Sequence, residues 1–596
     1  MLKISDYIVS RLVDFGVKDV FMLSGGGIMH LMDSLVQNVN INYYCNLHEQ
    51  ASAICADAYA QVKNTLGVCL VTTGPGATNA ITGCASSFVD SRPVLFISGQ
   101  VKREDLTGTK KLRQVGVQEI NIVEMVKPIT KYAETILDPS LVKYHLDKAR
   151  YLALSGNKGP VWLDVPLDIQ GMQFEESSFL EFDQKTEFPN DDIKINLFDI
   201  KETAFALAQA ERPVILVGNR VDSLKAISAV RTFIRKNNFP VLATVYSKMI
   251  FEDDEDLFFG YPGMYAPRYS SLIIQNSDCV IMLGVTLTKY MTAYNHSGFA
   301  PKAKKIMIDI DEHELRYHHQ QMKLHCSIHA VIEEFVERLN EELQSHKRKD
   351  ISSWFAYCRE VRDTFPIHKE YESPDLVNPY LLAHKLNDFT KDNDVIVSSS
   401  SGTCDTILAF VYKRRKNQIF AGYQKLGSMG FALPTAIGAS IASGKHRTIT
   451  VEGDGSLQHN LQELALIKQY ELPIKLFVIN NGGYVSIKNM QKNHFDNRFI
   501  GCDKDSGVNL CDLKLLAELY CLHYYRITCN DEVEDILKRV MDDDAPVLCE
   551  VFVHADFDPL PKAVTTVHAD GSITSSSLEN LFPFLSNEEQ KYWMRF

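Results

Sequence analysis

No segment of this chain is apolar for long enough to span a bilayer. The opening, MLKISDYIVSRLVDFGVKDVFML, has charges breaking its apolar residues and lacks a signal-peptide core. A cytoplasmic chain with no membrane partner is therefore expected. Basic excess is missing too: 62 Lys plus Arg face 75 Asp plus Glu, a formal balance of −13. That removes the electrostatic footprint of a nucleic-acid partner. The 13 cysteines are odd in number and form no CxxC pair. In a chain too large to need disulfide staples, this points to reduced, mostly buried thiols. There is no solenoid repeat, and no low-complexity tract beyond the serine runs at Ser398–Ser401 and Ser575–Ser577.

What remains is an ordinary globular composition, 45% hydrophobic and 23% charged. At 596 residues the chain exceeds a single core, and three or four units are expected. Short apolar runs alternate with amphipathic stretches, as in parallel sheets wrapped by helices. DVFML, NYYCN, GVCLVTT, PVLFISG and GPVWLDV lie in a first unit, and PVILVG, PVLATV, DCVIMLG and KKIMIDID in a second. DVIVSSSS, HRTITVEGDG, IKLFVINNGG and APVLCEVFV lie in a third. The fold class read from this is α/β, with three doubly wound parallel-sheet domains over 1–172, 190–345 and 370–560. A polar, irregular tail follows over 561–596.

One segment carries chemistry. TITVEGDGSLQHNLQELALIKQYELPIKLFVINNGG reads strand, Gly453-Asp454-Gly455-Ser456, helix, strand, Asn480-Asn481-Gly482-Gly483. Asp454 and Asn481 then sit at the carboxyl ends of two strands joined by one crossover, where open α/β sheets bind ligands. A carboxylate and an amide oxygen suit magnesium, flanking glycines admit a diphosphate, and the free N–H groups of the next helix favour an anion. Either piece alone would be a tight turn. Together they resemble the thiamine-diphosphate fingerprint, GDG followed about 27 residues on by NN. That resemblance implies metal ligation by Asp454, Asn481 and the backbone carbonyl of Gly483.

Further segments are similar to the acetolactate synthases over nearly the whole chain. NYYCNLHEQASAICADAYAQV resembles their HEQ segment, with Glu49 at a strand-to-helix junction, and TTGPGATNAITGCASSFVDSRPVLFISGQV follows. KLGSMGFALPTAIGA matches their LGxMGxxLPxAIGA. The resemblance implies thiamine diphosphate and Mg2+ as cofactors, and Glu49 as the carboxylate that activates the pyrimidine ring. It implies His48 and Gln118 for proton handling and donor orientation. The cofactor would be held by Glu49, Pro75, Asn79, Ser401, Gly402, Thr403, Gly427, Met429, Gly453, Gly455, Ser456, Asn481 and Tyr484. A homodimer or homotetramer with shared active sites is implied, Glu49 of one subunit meeting Asp454 and Asn481 of another.

The acceptor side departs from that family. Val117 stands for its Phe, Leu167 for its Lys and Met490 for its Trp, and Gly25, Gly26 and Gly27 add glycines to the loop near the reacting carbon. A wider, more apolar substrate pocket follows. In the middle unit, Thr286 and Asn157 replace arginines of flavin-binding relatives, and the Gly cluster shrinks to Val217-Gly218-Asn219. FAD is expected to be absent.

The function read is decarboxylation of pyruvate or a related 2-oxo acid with carboligation to an acceptor carbonyl, a keto sugar among the candidates. The alternatives are a simple 2-oxo acid decarboxylase and a catalytically silent cofactor-binding subunit. The small-molecule partners are a 2-oxo acid donor and a carbonyl acceptor.

Overall fold

Strands flanked on both faces by helices must be apolar throughout, and the continuous Val, Ile and Leu runs of this chain do form the inner strands of three parallel sheets. The computed structural model describes residues 1–596 apart from 109, 190–192, 254, 368–372, 374, 399–401, 403–406, 423 and 569. The first sheet contains β1 (Asp19–Met22), β2 (Asn42–Cys45), β3 (Gly67–Val71), β4 (Val94–Gln100), β5 (Tyr132–Thr135) and β6 (Val161–Pro166), in the order β2-β1-β3-β4-β6-β5. The middle sheet contains β7 (Pro213–Val217), β8 (Val241–Ala243), β9 (Cys279–Leu283), β10 (Lys304–Asp309) and β11 (Cys326–His329), in the order β8-β7-β9-β10-β11. The last contains β12 (Val395–Ser398), β13 (Ile419–Gly422), β14 (Thr448–Gly453), β15 (Ile474–Asn480), β16 (His523–Ile527) and β17 (Val547–Phe552), in the order β13-β12-β14-β15-β17-β16. The first and last sheets thus share one topology.

Four strands escape the sequence reading: β5, β11, β13 and β16. Each lies at a sheet edge. An edge strand has one neighbour and a partly solvated face, so YAET, CSIH and HYYRI lack the apolar continuity of inner strands. A single helix was expected after GDGS. The chain instead forms one turn at Asp454–Leu457, a 3-10 turn at Leu461–Glu463 and a short helix at Leu464–Gln469. The break falls at Asn460, whose Nδ2 donates to the Gly430 carbonyl at 2.7 Å. A one-turn helix has little macrodipole, so any anion there depends on individual N–H groups. The tail read as irregular forms a hairpin, Thr565–Val567 with Ile573–Ser575, and a helix, Asn587–Trp593. Its Trp593 is buried in the core of the middle unit with Trp354 and Leu581.

The first and last units meet through α1 (Glu49–Lys63) and α2 (Ala432–Ala442). Both consist largely of small residues and are buried almost all round, so their backbones approach closely. Cys55 Sγ donates to the Pro434 carbonyl at 3.1 Å, and a Cβ on Gly438 would lie 2.4 Å from the Cys55 carbonyl oxygen. Buried cations join the last unit to the middle one: Lys248 Nζ donates to the carbonyls of Ala409 at 3.0 Å and Tyr412 at 2.8 Å. Because Gly438 has backbone rather than a flexible side chain against it, Gly438→Ala is expected to destabilise the protein by about 1–3 kcal/mol, read as a lower denaturant midpoint. An unchanged midpoint would show that this helix pair tolerates separation.

Candidate active site

Register sets the core of the site. Gly453 pairs with Ile479 across β14 and β15, so Asp454 and the Asn480–Asn481 pair leave adjacent strands at the same level. Asp454 is 2% exposed. Its Oδ1 accepts from Gly455 N at 2.7 Å, and its Oδ2 accepts from Gly482 N at 2.8 Å and Gly483 N at 3.1 Å. Burial pushes its carboxyl up to about 6, opposed by those N–H donors. Asn481 Oδ1 is buried beside it with no hydrogen-bond partner among the described residues. Orphaned buried oxygens are rare, and one next to a carboxylate is suited to a cation. Among the described residues no three His, Cys, Asp or Glu side chains gather as a metal site. A cation here would therefore need oxygens from water or from a ligand, as magnesium takes from phosphates.

Glycine keeps the walls open. A Cβ on Gly455 would sit 2.5 Å from the Tyr484 ring, and one on Gly483, at φ +137°, 2.2 Å from the Cys502 carbonyl. A cavity of about 320 Å³ results, lined by Gly402, Gly427, Met429, Gly453, Asp454, Gly455, Ser456, Asn481, Gly483 and Tyr484 together with Val485, Ser486 and Ile487. Ser401 and Thr403 lie outside the described residues. Behind the wall, the fully buried Glu452 accepts from Ser456 Oγ at 2.8 Å and from Leu433 N at 3.0 Å, and Gly430 N donates to Ser456 Oγ at 2.8 Å. Burial raises the Glu452 carboxyl to about 7. This network locks the loop carrying Gly427 and Met429 to the one carrying Asp454.

The other expected residues gather on the first unit, at the carboxyl ends of β1, β2 and β3. Glu49 is 7% exposed at the start of α1, and Asn79 Nδ2 donates to its Oε2 at 3.0 Å. Gly76 faces the other oxygen, where a Cβ would lie 3.2 Å away. Pro75 opens that short helix, Pro75–Asn79. His48 caps α1, its Nδ1 accepting from Gln50 N at 3.1 Å. Gly25 and Gly27 close on Thr72 and Thr73 and would not admit a Cβ, whereas Gly26 faces open space. Gln118 adopts φ +65° with its carbonyl against Gly74. None of these residues lines the Asp454 cavity. The two halves of the expected site are thus built separately within one chain.

Val117 is 87% exposed and Met490 41% exposed, and they do not share a pocket wall. Met490 lines a second cavity of about 410 Å³, which shares Gly402, Val485 and Ser486 with the first. Its other walls mix polar and apolar groups and were not anticipated: Asn489, Asn493 and His494 on the helix Val485–His494, Tyr265 and Tyr290 of the middle unit, and Phe557, Asp558, Pro559, Lys562 and Ala563 after β17, with Lys562 paired to Asp558. The i, i+4 spacing of Asn489 and Asn493 was the available signal; residues from three distant segments gave none. On this side the lining mixes polar and apolar groups, because it comes from segments that the local substitutions do not describe.

In the middle unit the loops at the carboxyl ends of β7, β9 and β10 are tied to one another. Arg220, 8% exposed, donates from Nε to Asp309 Oδ1 at 2.8 Å, from Nη2 to Asp309 Oδ2 at 2.7 Å and from Nη1 to Thr286 Oγ1 at 2.7 Å. A Cβ on Gly218 would lie 2.1 Å from the Gly284 carbonyl, so the two loops touch. Asn157 Nδ2 donates to Asp311 Oδ2 at 2.7 Å. Asn157 Oδ1 and Asn219 Oδ1 stay buried without a hydrogen-bond partner among the described residues, and a cavity of about 180 Å³ opens beside Asn219, Val221 and Asp222.

Comparison with known proteins follows the same division. Residues 2–125 match the family model for the thiamine pyrophosphate enzyme N-terminal TPP binding domain, 200–339 the central domain, and 400–551 the C-terminal TPP binding domain. The chain is similar to acetolactate synthase 1, chloroplastic, of Nicotiana tabacum, at 30% identity over 94% of this chain and 82% of that one. It is similar to the acetolactate synthase isozyme 2 large subunit of Escherichia coli, at 28% over 97% and 99%. Acetolactate synthase of Mycobacterium bovis matches at 28% over 96% and 92%. If Asp454 holds the cation, Asp454→Asn should weaken magnesium-dependent thiamine diphosphate binding by more than about 100-fold in isothermal titration. Retained affinity would remove Asp454 from the metal shell.

Proposed function

The chain belongs to the thiamine pyrophosphate enzyme family, and within it we propose that it decarboxylates pyruvate or a related 2-oxo acid and joins the acyl unit to an acceptor carbonyl. The observation that carries this reading is the Asp454 cavity, where the unpartnered Asn481 Oδ1 lies beside a buried carboxylate between glycine-rich strand ends. Thiamine diphosphate supplies, when bound, the nucleophilic carbon and the electron sink for loss of carbon dioxide.

The chain's own residues do the rest. Asp454, Asn481 and the Gly483 carbonyl would hold Mg2+, leaving positions for phosphate oxygens and water. The backbone at Gly453, Gly455 and Ser456 would admit the diphosphate, with Gly402 and Tyr484 beside it, and Gly427 and Met429 would face the aminopyrimidine and thiazolium side. Glu49, oriented by Asn79, would hold the proton at a pyrimidine nitrogen. His48 and Gln118 remain the candidates for handling donor protons. Since the cavity is walled by the last unit alone while Glu49 sits on the first, a homodimer or homotetramer is proposed in which a second copy completes each site. The twelve described cysteines are all free thiols, which supports a cytoplasmic location. Among the described residues no helix is long and apolar enough to cross a membrane.

The adjoining cavity supports a hydroxylated acceptor such as a keto sugar. Carboxamides, tyrosine hydroxyls and a lysine offer hydrogen bonds, and the Tyr265 and Tyr290 rings, 5.9 Å apart, offer flat apolar faces. The Arg220–Asp309 ion pair between the loops of the middle crevice favours an enzyme without FAD.

Carbon dioxide release from pyruvate, followed by mass analysis of products with and without a keto sugar, tests the reading. A carboligation product is expected; acetaldehyde alone would make the chain a simple decarboxylase. Glu49→Gln should lower carbon dioxide release by at least about 100-fold while thiamine diphosphate still binds. Unchanged turnover would remove Glu49 from the mechanism and leave a cofactor-binding scaffold.

A further inference from the structure

The two separately built half-sites are joined inside one chain by a carboxylate that lines neither. Glu463 ends the 3-10 turn Leu461–Glu463, a short step beyond Asp454, and is fully buried. Its Oε2 accepts from Asn46 Nδ2 and its Oε1 from Leu47 N, both at 3.0 Å, and the His48 N–H is a further donor. Tyr470, just past the same helix, accepts from Cys45 N at 2.8 Å. The turn Cys45–His48 of the first unit is therefore suspended from the last unit, and the next residue is Glu49.

The chemistry of position 463 is specific. Burial raises this carboxyl to about 7, with the neutral donors opposing it, and among the described residues no Lys or Arg pairs with it. Isolated buried carboxylates are costly, so an amide or an apolar contact would hold a loop at less expense. What a carboxylate alone provides is two oxygens that only accept, matched here to donors converging from Asn46, Leu47 and His48. A glutamine would turn an NH2 group against one of them. The clamp is anchored behind as well. Asn460, three residues earlier, bonds to the Gly430 carbonyl, and Gly430 bonds to Ser456, two residues after Asp454.

We propose that Glu463 is a positioning residue for Glu49, setting the entry of α1 and so the aim of the activating carboxylate. The proposal rests on the assignment of Glu49 given above. In the oligomer proposed there, Glu49 serves the cavity of one copy while Glu463 belongs to the segment that begins at its own copy's Asp454. Glu463 thus couples the metal loop of one site to the carboxylate of the other.

Three readouts on the full-length protein test this: hydrogen exchange of the segment 42–52 in the cofactor-free enzyme, titration with magnesium and thiamine diphosphate, and exchange of the cofactor's C2 proton without any 2-oxo acid. In Glu463→Gln, segment 42–52 should lose protection, and C2 exchange should slow by about ten- to a hundredfold. Cofactor affinity should stay within about twofold, as for an independent site. The double variant Asn46→Asp/Glu463→Gln exchanges amide and carboxylate, so the amide can donate across the pair while its oxygen accepts from Leu47 N. It should recover most of the C2 exchange. Normal C2 exchange in Glu463→Gln overturns the proposal. If that variant does not fold, a folded double variant that stays slow overturns it equally. Glu49→Gln is the control: if it too exchanges normally, the assignment of Glu49 has failed, whereas a slow Glu49→Gln beside a normal Glu463→Gln defeats only this link.

Discussion

The close packing of α1 on α2 is the constraint on which the remaining arrangement depends. Two helices of alanine, serine, cysteine and glycine approach until a carbonyl occupies the space of a missing Cβ at Gly438. That contact holds two sheets of identical topology against each other. One presents Glu49 at the head of α1, and the other presents Asp454 and Asn481. Larger residues would widen the gap, and the hydrogen bonds from Asn46 and Leu47 to Glu463 would not span it.

A second theme is the burial of carboxylates without matching cations. Asp454, Glu452 and Glu463 are each held by neutral N–H or O–H donors, and each is raised by burial. Their charge is left unspent by the protein. At Asp454 the proposed Mg2+ would be the counter-charge, in keeping with the orphaned Asn481 oxygen beside it. The other two lie one layer back, where they fix loop against loop.

Much of this was legible in the sequence because it is local. Gly453 to Ser456 and Asn480 to Gly483 carry their meaning within a few residues, and the strand–loop context supplies the rest. Inner strands were legible for the same reason, as unbroken apolar runs. Four of the six edge strands were not, and in β5, β11 and β16 exposed positions interrupt the apolar run. Nor was the broken helix after Asp454, because the break comes from a tertiary bond between Asn460 and Gly430. Glu463 reads as an ordinary helical glutamate until the turn at Asn46 is brought to it. The cavity beside Met490 assembles from three segments far apart in the chain, so substitutions judged one at a time did not reveal its mixed lining.

The ion pair of Arg220 with Asp309 carries a different consequence. Loops tied by a buried guanidinium–carboxylate pair hold their shape from within the chain. Any ligand that this unit takes would then add to its stability by mass action without being the condition for it.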